Sequence, residues 1–111
     1  MTDTDVVNRY FEAIRAKDAD SLRSLFADDA VLVTLAGEFR GPDAIAAFYR
    51  DLAFQTADLW PEPGLPIVDG ARVGVEIRLR MNGQVSLVGD FFTLRDGRIE
   101  RLLVCTGPPV D

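Results

Sequence analysis

The second half of the chain alternates between apolar and polar positions, as β-strands do. Three such runs lie between residues 71 and 104, and a period of two residues predicts strands with one apolar face. Asn82-Gly83 and Asp96-Gly97 separate the runs. Pairs of this kind are typical of tight hairpins, because glycine supplies the positive φ that the turn needs. The pattern therefore predicts a meander of three antiparallel strands.

The first half carries apolar residues at helical spacing instead. Three helices are predicted: from a cap at Asp3 or Thr4 to about Ala16, from Asp18 to Asp28-Asp29, and from Gly41-Pro42 to Leu52. Two short strands, Ala30–Leu35 and Glu38–Arg40, are predicted between the second and third helices. Residues 54–70 are rich in proline, and only Leu65–Val68 is predicted there as a short strand.

Helices followed by a meander indicate an α+β fold, in which N-terminal helices cover one face of a curved antiparallel sheet. A length of 111 residues with 48% hydrophobic positions supports one domain over residues 1–111, with a single core. Cys105 is the only cysteine, so an internal disulfide is excluded.

Charge and composition narrow the function classes. The formal net charge is −6 and the basic residues are dispersed, which argues against nucleic acid and anionic membranes as partners. The opening MTDTD has no signal-peptide character, and no apolar run nears the roughly 20 residues of a membrane span, so a cytoplasmic protein is expected. No histidine is present. No metal-ligand cluster or glycine-rich nucleotide loop is visible, so no metal or cofactor is expected.

Asp90 is the residue that most directly suggests a site. Strand alternation places it on one face with Phe92 and Leu94, while Phe91 and Thr93 lie on the other. A carboxylate among large apolar side chains is costly unless it is paired, protonated or directed into a cavity. The pattern therefore favours a pocket at Asp90; the alternative is an edge residue at a bend, with Gly89 marking a bulge.

Three segments carry a resemblance to a known family: VVNRYFEAIRAKDADSLRSLFADDAVLV, GPDAIAAFYRDL and DFFTLRDGRI. Together they resemble the nuclear transport factor 2-like superfamily, and within it the ketosteroid isomerase and SnoaL-like polyketide cyclase branch. The resemblance covers Val6 to about Thr106. It implies a cone-shaped roll with a pocket between sheet and helices. This fold hosts isomerases, cyclases, dehydratases, hydrolases and binding domains, so it does not fix the function.

The resemblance also implies site residues. Tyr10 matches the oxyanion-hole tyrosine of the isomerases, and Asp90 matches their protonated aspartic acid. The position of their general base is occupied here by Thr34, which cannot take a proton from carbon at neutral pH. Glu38 and Asp58 are conceivable replacements. Tyr10 alternatively is a core residue on an apolar helical stripe.

Three functions remain open: an isomerase- or cyclase-type enzyme acting on a carbonyl compound, a non-catalytic binding domain, and a structural role. The expected ligand is small, flat and apolar, with a carbonyl or phenol group. Besides Tyr10, Asp90 and Thr34, the expected lining comprises Val75, Ile77, Leu79, Phe92, Leu94 and Leu102. Trp60 either lines the pocket mouth or covers the end of the sheet.

A homodimer is expected, both from the resemblance and because the second face of the sheet needs cover. The residues predicted to point outward from this second face include Val88, Phe91, Leu103 and Cys105. Cys105 is predicted to be buried or at an interface, and not a nucleophile, because no histidine is available to activate it. Glu76, Arg78, Arg80 and Arg101 are expected on a solvated or subunit-facing surface.

Overall fold

The computed structural model describes residues 2–110. Its helices are α1 (Asp3–Ala16), α2 (Ala19–Ser24) and α3 (Pro42–Asp51), followed by a 3₁₀ turn at Ala53–Gln55. Its strands are β1 (Phe26–Thr34), β2 (Gly37–Arg40), β3 (Trp60–Pro63), β4 (Ile67–Asp69), β5 (Arg72–Met81), β6 (Gln84–Arg95) and β7 (Arg98–Pro109). Three helices pack against a curved, unclosed sheet. The α+β fold expected from the sequence is confirmed.

The strands form one sheet in the order β2-β1-β7-β6-β5-β3, with β4 also paired to β5. Strands β5, β6 and β7 form the predicted antiparallel meander. Its two turns have positive φ at both central residues, at Asn82-Gly83 and Asp96-Gly97, as a two-residue hairpin of this kind requires. Strand β1 runs parallel to β7, with Leu32 opposite Leu102, so the sheet is mixed and not wholly antiparallel.

The start of α1 differs from the prediction by one or two residues. Thr2 is the N-cap: its side chain accepts a hydrogen bond from the backbone N–H of Asp5, and the Asp5 carboxylate accepts one from Thr2. This reciprocal capping box satisfies two backbone donors at once, an advantage that a cap at Asp3 or Thr4 does not have here. Asp18 caps α2 as predicted.

The end of α2 was predicted too late. The helix ends at Ser24, and Phe26 already pairs with β7 opposite Ile99. The backbone N–H of Ile99 also donates to the carbonyl of Leu25. Because Leu25 and Phe26 bond to a strand from the far end of the chain, they do not continue the helix. Asp28 and Asp29 are exposed within β1, at a bulge in its pairing with β7.

Residues 54–70 contain more strand than predicted. β3 is an unpredicted strand, and β4 lies at Ile67–Asp69 instead of Leu65–Val68. β3 includes Pro61 and Pro63. Proline is tolerated here because β3 is an edge strand of the sheet. No further strand pairs with its outer side, so a missing backbone N–H on that side removes no hydrogen bond. The last strand ends at Pro109, where the sequence predicts a stop.

One hydrophobic cluster joins the inner faces of the helices to the inner face of the sheet. Along β6, Val88, Asp90 and Phe92 point inward and are each at most 5% exposed, while Phe91 is 49% exposed on the outer face. The prediction of Val88 on the outer face is wrong, because it stands two residues from Asp90 and so shares its face. Cys105 is exposed, not buried. Within residues 2–110, no helix has the length and apolar character to cross a membrane.

Candidate ligand-binding site

A cavity of about 270 Å³ lies between the sheet and the helices. Its walls come from α1, α3, the loop after α3, the turn between β1 and β2, and the inner faces of β5, β6 and β7. Most lining side chains are apolar. The polar side chains of the lining are Tyr10, Thr34, Tyr49, Asp90 and Thr106. An apolar hollow with a few convergent polar groups is typical of small-molecule sites.

Asp90 is the buried carboxyl group of this cavity. It lies at the centre of β6, opposite Val75 of β5 and Val104 of β7, and is 4% exposed. Its Oδ1 atom is buried and has no hydrogen-bond partner. Burial raises the pKa of Asp90 from 3.8 to about 7, because removal from water disfavours the charged form. At neutral pH the group is therefore present in both protonation states.

Two tyrosines stand beside this carboxyl group. The hydroxyl oxygens of Tyr10 on α1 and Tyr49 on α3 are 2.5 Å apart and hydrogen-bonded. Burial raises the pKa of both hydroxyls, and the nearby charge of Asp90 raises them further, so both stay protonated. Each hydroxyl can donate one proton, and the bond between them uses only one. The pair therefore keeps one O–H donor for another acceptor.

Tyr49 is the site residue that the sequence reasoning missed. It lies on the buried face of α3 and is 7% exposed, a position that is typical of an ordinary core residue. Only its contact with Tyr10, 39 positions away along the chain, reveals the pairing. A tyrosine in place of an aliphatic residue on an inward helical stripe was the available signal, because a buried hydroxyl requires a partner.

Thr34 does lie at the cavity wall. Its hydroxyl accepts a hydrogen bond from the backbone N–H of Ala36 at 3.0 Å, which stabilises the turn between β1 and β2. Neither conceivable replacement base lies there. Glu38 is exposed and ion-paired with Arg40. Asp58 accepts hydrogen bonds from the backbone N–H groups of Asn82 and Gly83. These bonds stabilise the turn between β5 and β6.

The remaining predicted lining residues divide into two groups. Ile77 and Leu79 line the cavity. Phe92 and Leu102 are 1% and 0% exposed but belong to the closed part of the core: the Phe92 ring packs edge-on against the Tyr10 ring at 5.2 Å. There α1 packs directly on the sheet and leaves no space.

Val75 and Leu94 likewise belong to the buried core and do not line the cavity. Trp60 is 45% exposed on the edge strand β3. The Arg15 guanidinium lies 4.7 Å from its ring centre. Trp60 therefore covers the edge of the sheet and is not part of the cavity lining.

A second, larger hollow of about 490 Å³ lies on the outer face of the sheet. Ile67, Phe91, Arg101 and Cys105 contribute to it. Within residues 2–110, none of its lining residues carries a buried polar side chain, since Asp90, Tyr10 and Tyr49 all line the inner cavity instead. We therefore assign the smaller, inner cavity as the candidate site.

The protein is therefore a helix-covered sheet with a cavity of about 270 Å³ between the two layers. The chain belongs to the SnoaL-like domain family, whose sequence model matches residues 7–102. This family is part of the nuclear transport factor 2-like superfamily, as the resemblance indicated. No curated protein matches the sequence.

Solved structures support the same assignment. A candidate polyketide cyclase from Sinorhizobium meliloti is 30% identical, with a TM-score of 0.82 over 94% of this chain and 99% of that one. A candidate ketosteroid isomerase from Kribbella flavida is 14% identical, with a TM-score of 0.86 over 98% and 80%. An NTF2-like protein from Cytophaga hutchinsonii is 16% identical, with a TM-score of 0.85 over 97% and 92%. The last two likenesses concern the fold alone.

Proposed function

We propose that the inner cavity binds a small apolar compound through its carbonyl or phenolic oxygen. The observation that carries this proposal is the unpartnered, buried Oδ1 of Asp90 beside the hydrogen-bonded Tyr10–Tyr49 pair. A buried polar atom without a partner is costly in a folded chain. A ligand oxygen that accepts hydrogen bonds from protonated Asp90 and from the tyrosine pair satisfies both groups at once.

The size and lining of the cavity favour a compact ligand. Pockets for drug-sized ligands have volumes of about 300–1,000 Å³, and this cavity, at about 270 Å³, falls just below that range. Ile77, Leu79 and Phe48 supply apolar walls. The ligand class that fits is a one- or two-ring ketone or phenol, whose ring buries apolar surface while its oxygen meets the polar end.

The bicyclic ketone 1-indanone is a suitable probe, because its oxygen can only accept hydrogen bonds. Wild-type protein is expected to bind it at pH 6. Affinity is expected to fall as pH rises through about 7, since ionised Asp90 no longer donates. Calorimetry or ligand-observed NMR measures both effects. Tyr10→Phe and Asp90→Leu should each weaken binding roughly tenfold, by loss of one hydrogen bond.

Glu76→Gln provides the matched control. Glu76 is exposed and stands on the outward face of the same sheet, so its loss changes net charge without altering the cavity. Absence of binding at millimolar 1-indanone and 2-naphthol, with the fold intact by circular dichroism, contradicts the proposal. Binding that the two cavity variants do not weaken contradicts the role of Tyr10 and Asp90.

A second candidate function is catalysis of carbonyl chemistry by Asp90. Its support is the pKa of about 7, since a group that titrates near the working pH can both give and take a proton. The 30% identity to a candidate cyclase also favours this class. Thr34 at the expected base position argues against a strict isomerase. The test is deuterium exchange at the α-carbon of 1-indanone in D₂O, which Asp90→Leu should abolish and Glu76→Gln should leave unchanged.

A further inference from the structure

The carboxyl group of Asp90 has no cationic neighbour in its cavity. Among residues 2–110, the lining includes no lysine or arginine, and the titratable groups facing Asp90 are Tyr10 from α1 and Tyr49 from α3. Strands β5 and β7 place Val75 and Val104 opposite it. Buried carboxylates are ordinarily paired with a cation. Ionised Asp90 therefore lacks the counter-charge that such a group requires.

Four aromatic side chains line the same cavity. Tyr10 and Phe11 come from α1, and Phe48 and Tyr49 from α3. Two pairs of these rings are packed edge-on: the Tyr10 and Phe11 ring centres are 5.1 Å apart, and those of Phe48 and Tyr49 are 5.5 Å apart. Aromatic rings attract cations through their electron-rich faces. A carboxylate beside aromatic rings, with neither paired to a protein cation, is a set of groups suited to an organic ammonium ion.

We propose that the cavity has a second ligand class, small apolar ammonium ions, whose N–H group donates to the unpartnered Oδ1 of Asp90 while the apolar part packs against the aromatic lining. This inference uses the same cavity but does not rest on ketone binding. The two classes select opposite protonation states of one carboxyl group: a ketone requires the protonated acid, and an ammonium ion requires the carboxylate. The protonation of Asp90 thus selects the ligand.

The test compares two ligands with the same carbon skeleton, 1-indanone and 1-aminoindane. The amine stays protonated from pH 5 to 8, so a change in its affinity over that range reports on the protein. Affinity for the amine is expected to rise as pH increases, by up to tenfold per unit below the pKa of Asp90, while affinity for the ketone falls. By linkage, saturating amine should lower the pKa of Asp90 and saturating ketone should raise it, as measured by the ¹³C carboxyl resonance.

Asp90→Asn should weaken amine binding tenfold or more, because the amide retains the shape but not the charge. Glu76→Gln removes one charge from the outer face and should leave amine binding unchanged. The pH series on the wild-type protein supplies a result that does not depend on the folding of a variant.

Three results overturn the inference: no amine binding where the ketone binds, amine affinity that is flat from pH 5 to 8, or amine binding that Asp90→Asn leaves intact. If the ketone fails to bind and the amine binds as expected, only the proposed carbonyl-binding function fails. Each of the two proposals can therefore fail while the other stands.

Discussion

Replacement of Asp90 by asparagine should change how stability depends on pH. In the folded chain, burial raises the pKa of this group from 3.8 to about 7. A carboxyl group whose folded pKa is raised binds its proton more tightly when folded, so ionisation favours the unfolded state. The wild-type chain is therefore expected to lose stability as pH rises from about 4 to about 7, and to lose no more above that from this group.

The size of the effect follows from the shift. Each pKa unit corresponds to about 1.4 kcal/mol, so a rise of roughly three units costs about 4 kcal/mol once Asp90 is fully ionised. About 2.5 kcal/mol of this falls between pH 5 and 8, because the unfolded chain is already ionised at pH 5. The amide of Asp90→Asn carries no charge, but its N–H groups need partners, at about 1–3 kcal/mol at any pH. The variant should therefore be about 1–3 kcal/mol more stable than wild type at pH 8, and within about 1.5 kcal/mol of it at pH 5.

Urea denaturation at pH 5, 6, 7 and 8 measures this difference. Among residues 2–110, no other carboxyl group has a pKa raised into this window. The sequence contains no histidine, and the other carboxyl groups with shifted values, Asp5, Asp18, Asp29 and Asp58, have pKa values lowered below 3.8, so their contribution to stability is lost only under more acidic conditions. Glu76→Gln should give a curve parallel to wild type. If the curves of wild type and Asp90→Asn are also parallel from pH 5 to 8, Asp90 does not titrate as a buried group and the reasoning is refuted.

Two further predictions concern the missing base and the outer face. Thr34→Asp should introduce measurable isomerisation of a β,γ-unsaturated ketone, because Thr34 lies at the cavity wall; Thr34→Asn is the control, and activity no higher than that control contradicts the idea. Wild-type protein should sediment as a dimer at micromolar concentration, and Phe91→Glu should sediment as a monomer. Phe91 is 49% exposed on the outer face. Arginine and acidic side chains lie around it and can pair with those of a second copy. A wild-type monomer removes this prediction.

The sequence predicted those features that depend on neighbouring residues. The hairpin turns at Asn82-Gly83 and Asp96-Gly97 follow from local backbone chemistry, and strand alternation placed Asp90 on the inner face beside Phe92. The cap at Asp18 is equally local. In each case the signal and the structure it specifies lie within a few residues, so no knowledge of the tertiary structure was needed.

The features that were missed depend on contacts between distant parts of the chain. Phe26 enters a strand because it pairs with Ile99, which overrides the helical spacing around it. Phe92 fills the closed core because α1 packs directly against it, although alternation alone placed it on the cavity face. The bond between Tyr10 and Tyr49 requires the packing of two helices on one sheet. Local patterns carry no information about any of these distances.

The cost of Asp90 is itself an argument for a site. A chain of this size has a net stability of about 5–15 kcal/mol, so a penalty of about 4 kcal/mol at neutral pH is a substantial fraction. An apolar residue of similar volume at this position, between Val75 and Val104, has no such penalty. No hydrogen bond at Oδ1 compensates for this cost. In the proposed binding function, a ligand that pairs with this atom offsets the penalty, so the buried Asp90 favours that proposal over a purely structural role.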